Sequence, residues 1–285
     1  MNARVCIAAV PVLAVLAVLA ACAGVPPHAS REQTASTLAA SAQWQPLQLN
    51  TRSFSLAAWA APAAAASPGG LLTVYIEGDG LAWISSSSAS DDPTPLDPVG
   101  LRLALAQPSG AVAYLARPCQ YSGRQDPRCD QADWTGQRFS AAVIDASDQA
   151  IDQLKARAGA TRLVLVGYSG GGAVATLLSE QRHDVGALIT VAGNLDPAGW
   201  TRLHRVTPLA GSLDPMLQRH RLAALAQWHF VGGDDRNMPV QLAQGFAQGL
   251  PEAKVVVVDG FGHQCCWARD WAGLIAPVLQ QITPR

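Results

Sequence analysis

The sequence of 285 residues has few charged side chains and no cluster of one sign. Charged residues make up 14% of the chain, 20 Lys and Arg balance 21 Asp and Glu, and no basic run is longer than two residues. A nucleic-acid partner is therefore not expected, because binding to phosphates requires a basic patch or stripe. Hydrophobic residues make up 49% of the chain, which excludes disorder as the dominant state. Function must then depend on a shaped site rather than on a strong overall field.

Polar residues are almost absent from the first 21 positions. One arginine, Arg4, precedes an apolar stretch from Val5 to Ala21 that ends in small residues. This pattern predicts a secretory signal peptide over residues 1–21. A membrane-spanning helix is the alternative, but the apolar run is at the short limit for crossing about 30 Å of hydrocarbon.

The end of this segment, Leu19-Ala20-Ala21-Cys22, resembles the bacterial lipobox. The resemblance implies that Cys22 becomes the lipidated first residue of a mature chain exported to the bacterial cell envelope, where its lipid holds it in a membrane, facing the periplasm. Residues 22–42 are rich in Ala, Ser, Thr and Pro without a periodic pattern. We therefore expect them to form a tether.

Cysteines are few, and four remain after Cys22. Cys119 and Cys129 lie ten positions apart, so in an oxidising compartment a disulfide between them would close a small loop. No Cys-x-x-Cys or His-x-x-x-His spacing accompanies them, so no metal site is predicted. Cys265 and Cys266 are adjacent, and three outcomes are open: a vicinal disulfide, pairing elsewhere, or free thiols.

The middle of the chain alternates short apolar runs with helical patterns. Runs typical of strands buried on both faces occur at 71–76, 111–115, 162–166, 187–191, 228–231 and 254–258. The clearest helical pattern covers 140–158. Strands that alternate with helices predict an α/β fold, a mostly parallel sheet with helices on both faces. Two alternating runs at 45–50 and 53–59 predict an antiparallel hairpin at its beginning.

One buried run continues into Gly167-Tyr168-Ser169-Gly170-Gly171 and then into a helical pattern. A Gly-x-Ser-x-Gly between a strand and a helix is typical of a nucleophile on a tight turn, where the glycines allow close backbone approach. The N–H of Gly170 at the helix start would then face a developing oxyanion.

A serine hydroxyl needs a general base, and the base needs an orienting carboxylate. Asp234 and Asp235 follow the strand at 228–231, and His263 follows the last strand. Because the carboxyl ends of parallel strands meet at one edge of a sheet, we expect Ser169, His263 and one of these aspartates to meet there.

The order Ser, Asp, His on this framework resembles the α/β-hydrolase superfamily from about Gln45 to the end, and most of all its exported lipoprotein members with a small disulfide loop. The resemblance implies an α/β-hydrolase domain over residues 43–285. It assigns the acid to Asp235, which stands three residues after Gly232 and four before Pro239. Asp196 and Asp234 remain alternative acids.

The second oxyanion donor is expected in the loop Glu77-Gly78-Asp79-Gly80, where many family members have His-Gly. The N–H of Asp79 is the first candidate and that of Gly80 the next. Acids beside an oxyanion site would oppose negative charge unless their side chains point away. The long connection at about 197–226 is expected to form a small cap, with Trp200, Leu203 and Leu209 as candidate pocket residues.

The resemblance implies a serine hydrolase that cleaves a carboxylic ester or thioester of a small acyl substrate through an acyl-enzyme on Ser169, without cofactor or metal. A peptidase or amidase and an acyltransferase would use the same residues. A protein of another class, a non-catalytic envelope binding protein on the same fold, is the remaining hypothesis, and the acidic Glu77 and Asp79 motivate it.

Overall fold

The computed structural model describes residues 25–62, 70–122 and 126–282. The predicted signal peptide and Cys22 lie outside the described residues, so both stay predictions.

Ten strands and seven α-helices form the described part of the chain. The strands are β1 Gln45–Asn50, β2 Ser55–Ala60, β3 Leu71–Ile76, β4 Trp83–Ser85, β5 Ser88–Ala89, β6 Ala111–Leu115, β7 Arg162–Tyr168, β8 Val185–Val191, β9 Ala226–Gly232 and β10 Ala253–Val258. The helices are α1 His28–Ser41, α2 Val99–Ala106, α3 Ala141–Ala158, α4 Gly170–Gln181, α5 Pro197–His204, α6 Val240–Ala247 and α7 Trp267–Ile282.

Eight of these strands form one sheet in the order β1-β2-β6-β3-β7-β8-β9-β10. Pairing is antiparallel from β1 to β6 and parallel from β6 to β10. The predicted mostly parallel sheet with an antiparallel hairpin is confirmed. The small hairpin of β4 and β5 was not predicted.

Two hydrophobic clusters cover the two faces of the sheet. Alternate residues of β7 divide between them: Leu163 and Leu165 belong to one cluster, Val164 and Val166 to the other. This alternation follows from the two-residue period of a strand. It explains why the central strands are uninterrupted apolar runs.

The expected tether is wrong from His28 onward, because residues 28–41 form helix α1, which packs on the domain. Ala35 and Ala39 are buried, and the guanidinium of Arg31 donates to the carboxylate of Asp92 and to the carbonyl of Thr94. His28 Nδ1 lies 2.7 Å from the same carboxylate. Small alanines and a buried ion pair hold this helix, so its sequence lacks the large apolar stripe that predicts docking.

None of the helices within the described ranges is long and apolar enough to cross a membrane. The segment expected to form a cap contains α5 and two short 3-10 helices, Pro215–Leu217 and Arg219–Leu222.

Candidate active site

The three candidate residues lie after strands that end at the same edge of the sheet. Ser169 follows β7, Asp235 follows β9 and His263 follows β10, and the strands from β7 to β10 are parallel neighbours. Their side chains therefore meet beyond the carboxyl ends of the strands, where open α/β sheets bind ligands.

Ser169 stands at a tight turn between β7 and α4, with φ 51° and ψ −120°. Glycines on both sides make this turn possible. A Cβ at Gly167 would lie 2.2 Å from the carbonyl oxygen of Gly171, and one at Gly171 would lie 2.3 Å from that of Ile76. Contacts this short with main-chain atoms exclude any larger residue at either position.

His263 bridges the serine and the carboxylate. Its Nε2 lies 3.0 Å from Ser169 Oγ, and its Nδ1 lies 2.9 Å from Asp235 Oδ2. These are ordinary hydrogen-bond distances, and the arrangement is that of a nucleophile, a general base and an orienting acid.

The carboxylate of Asp235 is completely shielded from solvent. Its Oδ1 accepts hydrogen bonds from the main-chain N–H groups of Asn237 and Met238, both at 2.8 Å. One oxygen is thus used to hold the side chain in place, and the other faces the imidazole.

The alternative acids lie elsewhere. Asp196 caps the N-terminus of α5, where its Oδ1 accepts from the N–H of Gly199 at 2.7 Å. The side chain of Asp234 is exposed. Of the three aspartates considered, the structure brings only Asp235 to His263.

The main chain at His263 is fixed by two buried rings. The hydroxyl of Tyr168 and the indole N–H of Trp267 each donate to the carbonyl of His263 at 3.1 Å. Two residues later Cys265 is joined to Cys266 by a vicinal disulfide, one of the three outcomes left open.

The loop after β3 packs directly against the serine. A Cβ added to Gly78 would lie 3.2 Å from the Cβ of Ser169. Among the described residues the N–H of Asp79 has no hydrogen-bond partner, and the N–H of Gly170 belongs to the first turn of α4, which leaves such groups unpaired within a helix. Both remain available for an oxyanion.

The Asp79 side chain is held by two arginines that the sequence analysis missed. Its oxygens accept from Arg117 Nη1 at 3.1 Å and from Arg138 Nη1 at 2.7 Å. Burial alone would raise the pKa of Asp79, but the charges of Arg138 and Arg117 outweigh it and hold the pKa below its ordinary value. The carboxylate therefore points into an ion-pair cluster and is compensated there.

Glu77 is also buried, with 1% of its surface exposed. Its Oε1 accepts from the N–H groups of Gly78 at 2.9 Å and Gly100 at 3.1 Å, and its Oε2 accepts from the Tyr114 hydroxyl at 3.0 Å. Burial raises the pKa of Glu77 to about 7 although these hydrogen bonds oppose the change. Glu77 thus links the loop after β3 to the start of α2.

The structure contains the disulfide between Cys119 and Cys129, with Cα atoms 5.7 Å apart. The neighbouring Gln120 reaches the site, because its Nε2 donates to the carbonyl of Gly78 at 2.9 Å. The disulfide loop therefore supports the segment that carries the Asp79 N–H.

A cavity of about 360 Å³ opens at Ser169 and His263. Trp200 lines this cavity, whereas Leu209 lines the neighbouring one, and the side chain of Leu203 is exposed. Of the three candidate pocket residues in the cap segment, one lies in the catalytic cavity.

No family model and no curated protein matches this chain. Solved structures do. Est1E from Butyrivibrio proteoclasticus matches with a TM-score of 0.59 at 12% identity over 83% of this chain and 98% of its own. The esterase Pf2001 from Pyrococcus furiosus matches with a TM-score of 0.59 at 13% identity, over 87% of this chain and 95% of its own. A bacterial membrane phospholipase A, described as a virulence factor, matches with a TM-score of 0.56 at 15% identity, over 90% of this chain and 91% of its own.

Together with the sheet order, these matches show the fold. The chain has the α/β-hydrolase fold.

Proposed function

We propose that this protein is a serine hydrolase that cleaves carboxylic esters or thioesters through an acyl-enzyme on Ser169. The observation that carries the proposal is the continuous hydrogen-bonded chain from Ser169 Oγ through the His263 ring to the shielded Asp235 carboxylate, at 3.0 and 2.9 Å. The esterase Pf2001 and the membrane phospholipase A, which have the same fold, support it.

The first half of the reaction forms the acyl-enzyme. Ser169 Oγ attacks the acyl carbonyl while His263 Nε2 takes its proton, and His263 Nδ1–H donates to Asp235 throughout. The proton then passes from Nε2 to the leaving alcohol or thiol, and the acyl group stays on Ser169. In the second half His263 takes a proton from water, which attacks the acyl carbon. The bond from this carbon to Ser169 Oγ then breaks, Oγ takes the proton back from His263, and the acid leaves.

Negative charge develops on the carbonyl oxygen of the substrate, between the ends of β3 and β7. The N–H groups of Gly170 and Asp79 would hold this oxyanion. Arg117 and Arg138 pair with the Asp79 carboxylate and offset its negative charge. The ion pairs of Asp79 and the hydrogen bonds of Glu77 are compatible with an oxyanion site beside these two acids.

A fluorophosphonate probe tests the proposal on the folded protein. Wild type should be labelled at Ser169, and Ser169→Ala should lose both the label and the hydrolysis of short acyl esters. Ser179→Ala is the matched control, because Ser179 lies on the same helix and its hydroxyl donates to the Ala175 carbonyl. A folded wild type that is neither labelled nor active would overturn the proposal.

The same panel separates the related activities. Hydrolysis of amides at a comparable rate would favour a peptidase or amidase, and transfer of the acyl group to added glycerol would favour an acyltransferase. Both readings keep Ser169, His263 and Asp235 in the same roles.

We further propose that the protein is exported and lipid-anchored in the bacterial cell envelope at Cys22. The motif Leu19-Ala20-Ala21-Cys22 supports this. On expression of the full chain in bacteria fed a labelled fatty acid, wild type should carry the label and Cys22→Ser should not. Cys6→Ser, inside the segment expected to be removed, is the control and should keep the label. Label on Cys22→Ser, or none on wild type, would contradict lipidation at Cys22.

A further inference from the structure

A second cavity of about 670 Å³ lies beside the catalytic cavity. The two share three wall residues, Trp83, Arg138 and Trp200. The two cavities are therefore neighbours, and a substrate with its carbonyl at Ser169 would have to pass these side chains to reach the second one.

The two cavities differ in charge. Three acidic residues line the catalytic cavity: Glu77, Asp79 and Asp97. Among the residues that the structure describes, the lining of the second cavity includes Arg138 and Arg205 and contains no Asp or Glu. The acids of the catalytic cavity are offset, since Asp79 pairs with Arg117 and Arg138 and Asp97 with Arg102. No described acid of the second cavity offsets Arg205, so an anionic group of a substrate gains more from the second cavity.

Arg138 is a buried residue of the wall that the two cavities share. Its side chain is 6% exposed. Its Nη1 donates to the Asp79 carboxylate and its Nε donates to the Thr135 carbonyl. The cluster around Asp79 thus has two arginines for one carboxylate. Its Nη2 makes no hydrogen bond to any residue that the structure describes. The two N–H groups of Nη2 are thus left over, on a guanidinium that borders both cavities.

Arg205 directly follows helix α5 and lines the second cavity. Its side chain is exposed and has no ion-pair partner within the described ranges. The wall between the arginines is rigid, since Trp200 Nε1 and His204 Nε2 both donate to the Asn237 carbonyl, at 3.1 and 2.8 Å.

We propose that the second cavity binds an anionic group, a carboxylate or a phosphate, of an ester whose acyl carbonyl lies at Ser169. This inference rests on the proposed function for the identity of the substrate and not for the binding of the anion. Arg138 Nη2 and Arg205 would donate to its oxygens, and the rings of Trp83 and Trp200 would flank the linker between the two ends.

Matched esters test the proposal. One pair places the charge on the alcohol, 4-butyryloxybenzoate against its methyl ester, and a second places it on the acyl group, mono-4-nitrophenyl glutarate against 4-nitrophenyl butyrate. We expect kcat/KM to favour the anionic member of at least one pair, and high salt to reduce the preference. No preference in either pair would overturn the proposal.

Variants test whether the preference for anionic esters arises in the second cavity. Arg205→Gln should lower the anionic-to-neutral ratio of kcat/KM by about fivefold to tenfold, the loss of one charge-assisted hydrogen bond at an open site. Arg205→Lys should restore part of it. Arg202→Gln is the matched control, because Arg202 is exposed on the same helix but does not line the cavity. An unchanged ratio in Arg205→Gln would contradict the assignment.

A binding measurement separates this proposal from the hydrolase activity. Ser169→Ala should bind 4-butyramidobenzoate more tightly than its methyl ester, with a change in the fluorescence of the cavity tryptophans. If no ester is hydrolysed but this difference is found and depends on Arg205, the proposed function fails and the anion site stands. If esters are hydrolysed but binding shows no such difference, the anion site fails alone.

Vesicles distinguish the source of the anion. Faster release of fatty acid from phosphatidylglycerol than from phosphatidylcholine, lost in Arg205→Gln, would support the site with a lipid headgroup as its ligand. Equal rates on the two vesicles together with a preference for the soluble anionic ester would support the site with a soluble ligand.

Discussion

Asp234 and Asp235 are consecutive residues with opposite surroundings. The Asp235 carboxylate is shielded from solvent and lies 2.9 Å from His263 Nδ1, whereas the Asp234 side chain is exposed. The turn after β9 causes the difference, because the N–H groups of Asn237 and Met238 bind Asp235 and direct it inward.

This difference makes a sharp prediction about the acid. Asp235→Asn should lower kcat by roughly 10³-fold to 10⁴-fold, because the amide no longer accepts the Nδ1 proton and the imidazole loses the tautomer that it needs. Asp234→Asn should keep wild-type kcat. Ester hydrolysis with circular dichroism as a folding check measures both. Wild-type turnover in Asp235→Asn, with a loss in Asp196→Asn, would move the role to Asp196.

The glycines at the serine turn predict a contrast in stability. Gly171→Ala should lower the free energy of unfolding by at least about 2 kcal/mol, because the new Cβ would lie 2.3 Å from the carbonyl oxygen of Ile76. Gly245→Ala, in the exposed interior of α6 with nothing within 4 Å of the new Cβ, should raise it by about 0.5–1 kcal/mol. Urea unfolding measures both. Similar values for the two variants would contradict the close packing at the turn.

Glu77 predicts a pH dependence of stability. Its pKa is about 7 in the folded protein and 4.5 ordinarily. Between these values the folded state binds more protons than the unfolded state, so the free energy of unfolding falls as the pH rises from 4.5 through 7. The free energy of unfolding of wild type, minus that of the isosteric Glu77→Gln, should therefore fall by up to about 3 kcal/mol over this range. Parallel stability curves for the two proteins from pH 4 to 8 would show that Glu77 titrates normally.

The disulfide loop predicts a modest loss of stability. Replacing both Cys119 and Cys129 with alanine should lower the free energy of unfolding by about 2–3 kcal/mol, since a short loop is no longer constrained in the unfolded chain. Ester hydrolysis should also weaken, because Gln120 holds the carbonyl of Gly78. The variant Cys265→Ala with Cys266→Ala provides the comparison, since it removes a disulfide between adjacent residues, which closes no such loop. Equal stability of wild type and the first variant would exclude a structural role for the loop.

The sheet and the turn that carries Ser169 could be predicted because their signals are local. Buried parallel strands are continuous apolar runs, and Gly-x-Ser-x-Gly imposes its own turn. Helix α1 could not be predicted, since its buried face consists of alanines and Arg31, whose partner Asp92 lies 61 residues away.

The ion-pair cluster has no sequence signal for the same reason. Arg117 and Arg138 lie 38 and 59 residues from Asp79. Only the fold shows that they neutralise an acid beside the oxyanion loop. The choice between Asp196 and Asp235 likewise depended on where each carboxylate points, because both follow strands of the same sheet.

The backbone of Ser169, at φ 51° and ψ −120°, occupies a region that residues with a side chain rarely adopt. The rest of the domain must keep this one residue in a conformation that it would leave if free. Ser169→Gly should accordingly give an inactive protein that melts no lower than the active one. At this position natural selection for turnover and selection for thermal resistance favour different amino acids.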